Sequence, residues 1–182
     1  MKNKLPLLIT ILGPTASGKT HLATQLAAQL NGEIISADSR QVYRGMDLGT
    51  GKDLAEYVVD GVPIPVHGID VADPLEEFNV FRFQQLFFAA FADIVSRGKQ
   101  PILCGGTGFY LSSILNKKRL LDVPEDLVFR AEAEGRSLDV LAEELRLRRF
   151  LHNETDVEDR ARLIRALEIA RFEDAHEADP FP

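Results

Sequence analysis

Apolar positions along the chain alternate between short solid runs and longer stretches of helical period, and this rhythm predicts the elements. Residues 6–12 are an almost unbroken apolar run of strand length, which reads as a buried strand. An amphipathic stretch over 21–30 predicts a helix. Residues 32–37 then give a second strand, ending in the polar group Asp38-Ser39-Arg40-Gln41. A glycine-rich stretch, 45–51, and the segment carrying Pro63 and Pro65 read as loops or short edge strands. Asp73-Pro74 marks a turn before a strongly apolar helix over 80–97, stopped by Gly98. Phe83, Phe87 and Phe91 recur on that helix at a spacing of four, a stripe expected to pack against a sheet. Residues 100–104 form a further strand running into Gly105-Gly106-Thr107-Gly108, with a short helix from Phe109. From Pro124 onward the period is helical, with helices near 125–134, 138–149 and 157–172, and Ser137 and Asp156 placed to cap the last two. Strand and helix alternating in this way imply a parallel sheet between helices, an α/β fold.

Between the first strand and the first helix stands Gly13-Pro14-Thr15-Ala16-Ser17-Gly18-Lys19-Thr20, which fits G-x-x-x-x-G-K-[ST] in the context that motif requires. Gly13 and Gly18 allow backbone geometries in which the amides of Thr15, Ala16 and Ser17 can turn towards phosphate oxygens while the helix offers its positive end. Lys19 adds a mobile cation. Thr20 is positioned to put its hydroxyl on a Mg²⁺ bridging phosphate oxygens. The fold class is therefore read as a P-loop NTPase-like three-layer α/β/α core with a parallel sheet and a small helical appendage. The expected division is a core over 1–122, a helical insertion-like region over 123–172 and an acidic tail over 173–182.

Composition narrows the setting. A chain of 182 residues with 45% hydrophobic content can fill one core. A single cysteine, Cys104, rules out an internal disulfide and fits a reducing cytoplasm, where it is expected as a small buried residue beside a strand end. The apolar N-terminal run passes straight into the phosphate loop, so no export signal is read, and no run is long enough to span a bilayer. A formal charge of −7 argues against indiscriminate nucleic-acid binding, but leaves room for a local basic patch. Lys117-Lys118-Arg119 and Arg146, Arg148, Arg149, Arg160, Arg162 and Arg165 are candidates for such a patch, or for solvated helix faces.

Phosphate loops serve kinases, NTPases and transferases alike, so the other strand ends must name the chemistry. They present Asp38-Ser39-Arg40-Gln41-Val42-Tyr43, Gly49-Thr50-Gly51-Lys52 and Gly105-Gly106-Thr107-Gly108. Together with the phosphate loop, the run 35–52, His67-Gly68-Ile69-Asp70, Asp73-Pro74 and Asp159-Arg160-Ala161-Arg162-Leu163-Ile164-Arg165-Ala166-Leu167-Glu168, these residues resemble the tRNA dimethylallyltransferase (isopentenyltransferase) family over nearly the whole chain.

The resemblance implies transfer of a five-carbon group from dimethylallyl diphosphate to N6 of an adenine next to the tRNA anticodon. The phosphate loop would then hold the leaving diphosphate, with Lys19, Mg²⁺ on Thr20, Lys52, and Thr107 at the bridging oxygen. Asp38 would face the adenine amine. A weak base suffices there, because the amine becomes strongly acidic as it bonds to an allylic cation. Asp38 also fits a helix cap or an outer ligand of bound Mg²⁺. Ser39 and Gln41 would orient the base, Arg162 and Arg165 would contact tRNA phosphates, and Arg40 is given no role. A soluble cytoplasmic monomer is expected.

Family members are commonly longer, so the resemblance implies a short or C-terminally truncated member. A cationic residue of the family's later portion, near the diphosphate, has no counterpart here. Gly51 and Cys104 stand where alanine and valine are expected. Prenylation of free AMP or ADP, a P-loop small-molecule kinase using ATP, and a non-catalytic phosphate-binding relative stay open.

Overall fold

The computed structural model describes residues 7–117, 119–148, 158–176 and 181. The expected cap Asp156, with Arg149, Lys118 and half of the acidic tail, lies outside them. The chain divides into two compact units, Met1–Lys118 with Pro182, and Arg119–Phe181.

In the first unit, β1 (Ile9–Leu12), β2 (Gly32–Ala37), β5 (Val66–His67) and β6 (Gln100–Gly105) form one sheet in the order β1-β6-β2-β5, all neighbours parallel. β3 (Val58–Val59) and β4 (Val62–Pro63) make a separate antiparallel ribbon. The proline-bearing segment thus supplies both a ribbon and an edge strand. Strand side chains alternate between two cores. Ile34, Ile102 and Cys104 pack with Ala23 and Ala27 of α1 (Lys19–Leu30). Ile35 and Leu103 pack with Phe83, Phe87 and Ile94 of α2 (Val80–Ser96) and with α3 (Gly108–Leu115). This is the three-layer α/β/α arrangement of the P-loop NTPase-like fold. Of the phenylalanine stripe, Phe83 and Phe87 are buried and Phe91 is half-buried against the same core, and Phe83 stacks on Tyr110 with centroids 4.1 Å apart. Asn79 starts α2 by accepting a hydrogen bond from the Arg82 amide at 3.0 Å.

Near the start of β2, Glu33 is buried and ion-paired with Arg97 just past α2, and bonded to His67 Nε2 at 2.9 Å. The Arg97 hydrogen bonds, more than His67, hold its carboxyl down at about 2 against the opposing effect of burial. That network anchors the strand starts, and the strand ends are left for the site.

The second unit is helical: α4 (Leu127–Glu134), α5 (Leu138–Arg148) and α6 (Arg160–Ala175) close over Phe129, Leu141, Leu145, Leu163 and Leu167. Asp159 caps α6, accepting from the Arg162 amide at 3.0 Å. Ser137 reaches the Val140 amide at 3.4 Å, as its position before α5 predicts. Glu168 is buried at the centre of this unit, accepting from the Asp126 amide at 3.0 Å, from Arg130 Nε at 2.6 Å and from Arg165 Nη1 at 3.0 Å. Burial opposes its charge, but these donors outweigh that and keep its pKa below the ordinary value.

Candidate active site

The carboxyl ends of β1, β2 and β6 open into a cleft of about 570 Å³. Its floor is the phosphate loop. Gly18 takes a left-handed φ of 78° at the start of α1, where no side chain caps the helix, so the amides of the first turn remain for an anion. Ala16 also sits at a left-handed φ, 60°, strain of the kind that clusters at ligand-binding loops. Lys19 Nζ donates to the Pro14 carbonyl at 2.7 Å, so its charge is held over the loop by a neutral oxygen and is not cancelled by a carboxylate.

Two contacts fasten the other strand ends to each other. The Thr107 amide donates to the Ala37 carbonyl at 3.1 Å, and the Ser39 amide donates to Thr107 Oγ1 at 3.0 Å. Gly105 makes this closeness possible, because a Cβ there would stand 2.3 Å from the Ala37 oxygen. Asp38 comes next in the chain, with Oδ1 accepting from the Arg40 amide at 2.9 Å, a local turn that fixes the carboxylate at the cleft wall. Gln41 is braced between Ser36 Oγ (3.4 Å) and the Gly51 carbonyl (3.0 Å).

Thus Gly13, Thr15, Ala16, Ser17, Gly18, Lys19, Thr20, Asp38, Ser39, Gln41 and Thr107, read from sequence as one site, all line one cleft, and Arg40 joins them. Cys104 lines it too, and burial pushes its thiol up to about 11, so it behaves as a packing residue. Two expectations fail. Lys52 is not at the diphosphate cradle: its side chain is 1% exposed, and Nζ donates to the Tyr43 carbonyl (2.8 Å), Asp47 Oδ1 (3.0 Å) and Asp70 Oδ1 (2.5 Å), which uses all three of its protons. Burial works against that charge, yet the hydrogen bonds to Asp70 and Asp47 prevail and its pKa stays raised. Arg165, expected on tRNA phosphate, instead donates to the Val123 carbonyl at 2.7 Å and to Glu168, inside the helical unit. Arg162 is exposed, and among the described residues its side chain has no hydrogen-bond or ion-pair partner.

Sequence reading missed Tyr57 and Glu56, which also line the cleft. They sit on a 3₁₀ turn, Leu54–Tyr57, started by Asp53 accepting from the Ala55 amide at 3.0 Å. The only available signal was an aspartate followed by a short aromatic-bearing turn after the glycine-rich loop.

No group of three or more His, Cys, Asp or Glu side chains among the described residues could hold a metal ion by itself. Thr20 beside the phosphate loop, with Asp38 and Glu56 lining the same cleft, fits Mg²⁺, which keeps waters and takes few ligands from the protein itself.

The profile of the IPP transferase family matches residues 41–179. The chain belongs to the IPP transferase family. An isopentenyl transferase profile also matches residues 6–61. A tRNA dimethylallyltransferase of Geotalea uraniireducens is 57% identical over 176 residues, covering 96% of this chain and 57% of the relative. Among solved structures, the tRNA isopentenylpyrophosphate transferase of Bacillus halodurans is 40% identical with a TM-score of 0.59, covering 90% of this chain and 55% of the other. A eukaryotic dimethylallyltransferase acting on tRNA is 30% identical with a TM-score of 0.70, covering 96% and 45%. The chain therefore spans about half the length of the IPP transferases it matches. Among the described residues no helix is long and apolar enough to cross a membrane.

Proposed function

We propose that this chain transfers the dimethylallyl group of dimethylallyl diphosphate to N6 of an adenine in the tRNA anticodon loop, as a cytoplasmic enzyme. The observation that carries this reading is the single cleft joining the phosphate loop to Asp38 and Thr107 in a member of the IPP transferase family. In the reaction, the bond between the allylic carbon and the diphosphate oxygen breaks, and its electron pair leaves with the diphosphate. The N6 lone pair forms the new carbon–nitrogen bond, and an N6 proton passes to an Asp38 carboxylate oxygen.

Charge grows on the leaving oxygens only as the bond breaks, so donors aimed there favour the transition state over the substrate. The loop amides and Lys19 fill that role, and Lys19 exchanges its bond to the Pro14 carbonyl for a phosphate oxygen. Thr107 Oγ1 accepts from the Ser39 amide and donates to Ser39 Oγ at 3.4 Å, a long bond that its proton exchanges for the bridging oxygen. Mg²⁺, bound through Thr20 and diphosphate oxygens, would neutralise part of the leaving charge. Ser39 and Gln41 present hydroxyl and amide groups to an extracted adenine, which a single-stranded loop releases at low cost. Arg162 serves as a tRNA phosphate contact, so Arg162→Glu weakens tRNA capture, most at low salt.

A second reading takes a free adenine nucleotide as acceptor, because the phosphate loop and Asp38, the parts that act on diphosphate and amine, lie in a cleft that an adenine nucleotide could reach as well as a tRNA loop. One experiment separates the two: incubate the 182-residue chain with Mg²⁺, labelled dimethylallyl diphosphate, and either unmodified tRNA or AMP. Label on tRNA supports the first reading and label on AMP the second. Diphosphate binding without transfer to either would overturn both.

A further inference from the structure

Among the described residues that line the cleft, two are cations, Lys19 and Arg40, and two are carboxylates, Asp38 and Glu56. Lys19 belongs to the phosphate loop, but Arg40 has no task in the transfer. Its side chain is exposed, and among the described residues its guanidinium has no hydrogen-bond or ion-pair partner. Asp38 accepts from the Arg40 amide at 2.9 Å, so the turn uses the backbone of Arg40 and leaves its charge uncancelled. A planar fork of five N–H donors therefore stands in the cleft with no acceptor from the protein, although the turn it sits in would form with almost any other residue.

Its place in the sheet says which substrate it meets. The phosphate loop follows β1 and Arg40 follows β2, while β6, with Thr107 just past its end, runs between them. Two strand spacings put about 9–10 Å between β1 and β2. A diphosphate over the phosphate loop lies on the far side of Thr107 from Arg40, whereas an amine that meets Asp38 brings its nucleotide to the turn that Arg40 completes. We propose that Arg40 binds the phosphate carried on the ribose of the acceptor adenosine, so that the second substrate is recognised as an adenosine phosphate, by its charge as well as its base. A phosphodiester of RNA and the 5′-phosphate of a free nucleotide share this chemistry, and a guanidinium takes either through paired N–H donors. The inference rests on the proposed transfer to adenine N6, and adds to it the group that anchors the acceptor.

The test is calorimetric titration of AMP and of adenosine into protein saturated with Mg²⁺-pyrophosphate, which fills the phosphate loop and keeps the AMP phosphate out of it. The proteins are the wild type, Arg40→Gln and Arg40→Lys, each also melted thermally and titrated with pyrophosphate alone. The wild type is expected to bind AMP about tenfold more tightly than adenosine, the size of one charge-assisted hydrogen bond. Arg40→Gln removes that preference and leaves adenosine affinity, pyrophosphate affinity and melting at wild-type values, because no contact within the protein is lost. Arg40→Lys retains part of the preference, as a point charge replaces the fork. Titration of unmodified tRNA across a salt series identifies an RNA source: Arg40→Gln then reduces the slope of log affinity against log salt by about 0.7–0.9, one phosphate contact. An unchanged slope with a lost AMP preference assigns the free nucleotide. If Arg40→Gln changes neither the AMP preference nor the slope, or lowers pyrophosphate affinity, the inference is overturned and the acceptor reading stands. A loaded wild type that binds none of adenosine, AMP and tRNA overturns the acceptor reading and the inference with it.

Discussion

Two glycine-rich loops of the first unit end in nearly the same letters, Gly18-Lys19-Thr20 and Gly51-Lys52-Asp53, yet their lysines have opposite fates. Lys19 begins a helix and rests on the neutral Pro14 carbonyl, while the carboxylate of Asp38 belongs to the same cleft without pairing with it. Lys52 begins no helix and is clamped by Asp47 and Asp70. A lysine on a neutral acceptor keeps its charge for a ligand, whereas one that has already met its counter-charges holds a loop in place. The lysine alone does not decide the role. The element it leads into, and the groups that reach it from elsewhere in the fold, decide it.

That contrast sets the order of expected effects. Asp38→Asn is expected to lower the transfer rate by about 10²–10⁴-fold, the range for losing a general base, while pyrophosphate affinity and melting stay near wild type. A parallel loss of affinity would make Asp38 part of the cradle. Lys19→Ala is expected to lower pyrophosphate affinity and transfer together by about 10²-fold, again with little change in melting. If Lys19 were instead a structural strut, melting would fall and affinity would not.

Lys52→Met reverses the pattern. Leaving Asp70 and the Tyr43 carbonyl without their donor is expected to reduce unfolding free energy by about 2–3 kcal/mol in urea titrations, with unchanged pyrophosphate affinity in the folded fraction. Loss of affinity at unchanged stability would return Lys52 to the cradle. Asp47→Ala, at an exposed carboxylate, is expected to cost about 0.5 kcal/mol or less, and a larger loss would mean that the clamp depends on both aspartates.

The same contrast explains which parts of the molecule were legible in the sequence. β2, α2 and β6 announce themselves through solid or periodic apolar runs, because burial on both sides of a sheet favours apolar side chains and admits a polar one only where partners meet it, as Arg97 and His67 meet Glu33. The phosphate loop is legible because its geometry needs glycine at fixed offsets and a helix immediately after. Asp38, Ser39 and Thr107 stand out as residues at carboxyl ends of strands, and the family resemblance supplied the roles expected of them. Lys52 was misread because Asp70 lies 18 residues away, and no local pattern reports such a partner. Arg165 failed for a related reason: Glu168, three residues on, reads as an ordinary helix-surface pair until packing buries it against Arg130 and the Asp126 amide. Tyr57 was hidden because a 3₁₀ turn of four residues leaves no periodicity to detect.

The hydrogen atom that Gly105 carries in place of a side chain works as a spacer. With 2.3 Å between a hypothetical Cβ and the Ala37 oxygen, even alanine would act as a wedge between the last residues of β2 and β6. Those are the two strands that carry Asp38 and Thr107, one residue and two residues beyond their ends. The width of the cleft between Asp38 and Thr107 is therefore set by a residue that lends it no side chain.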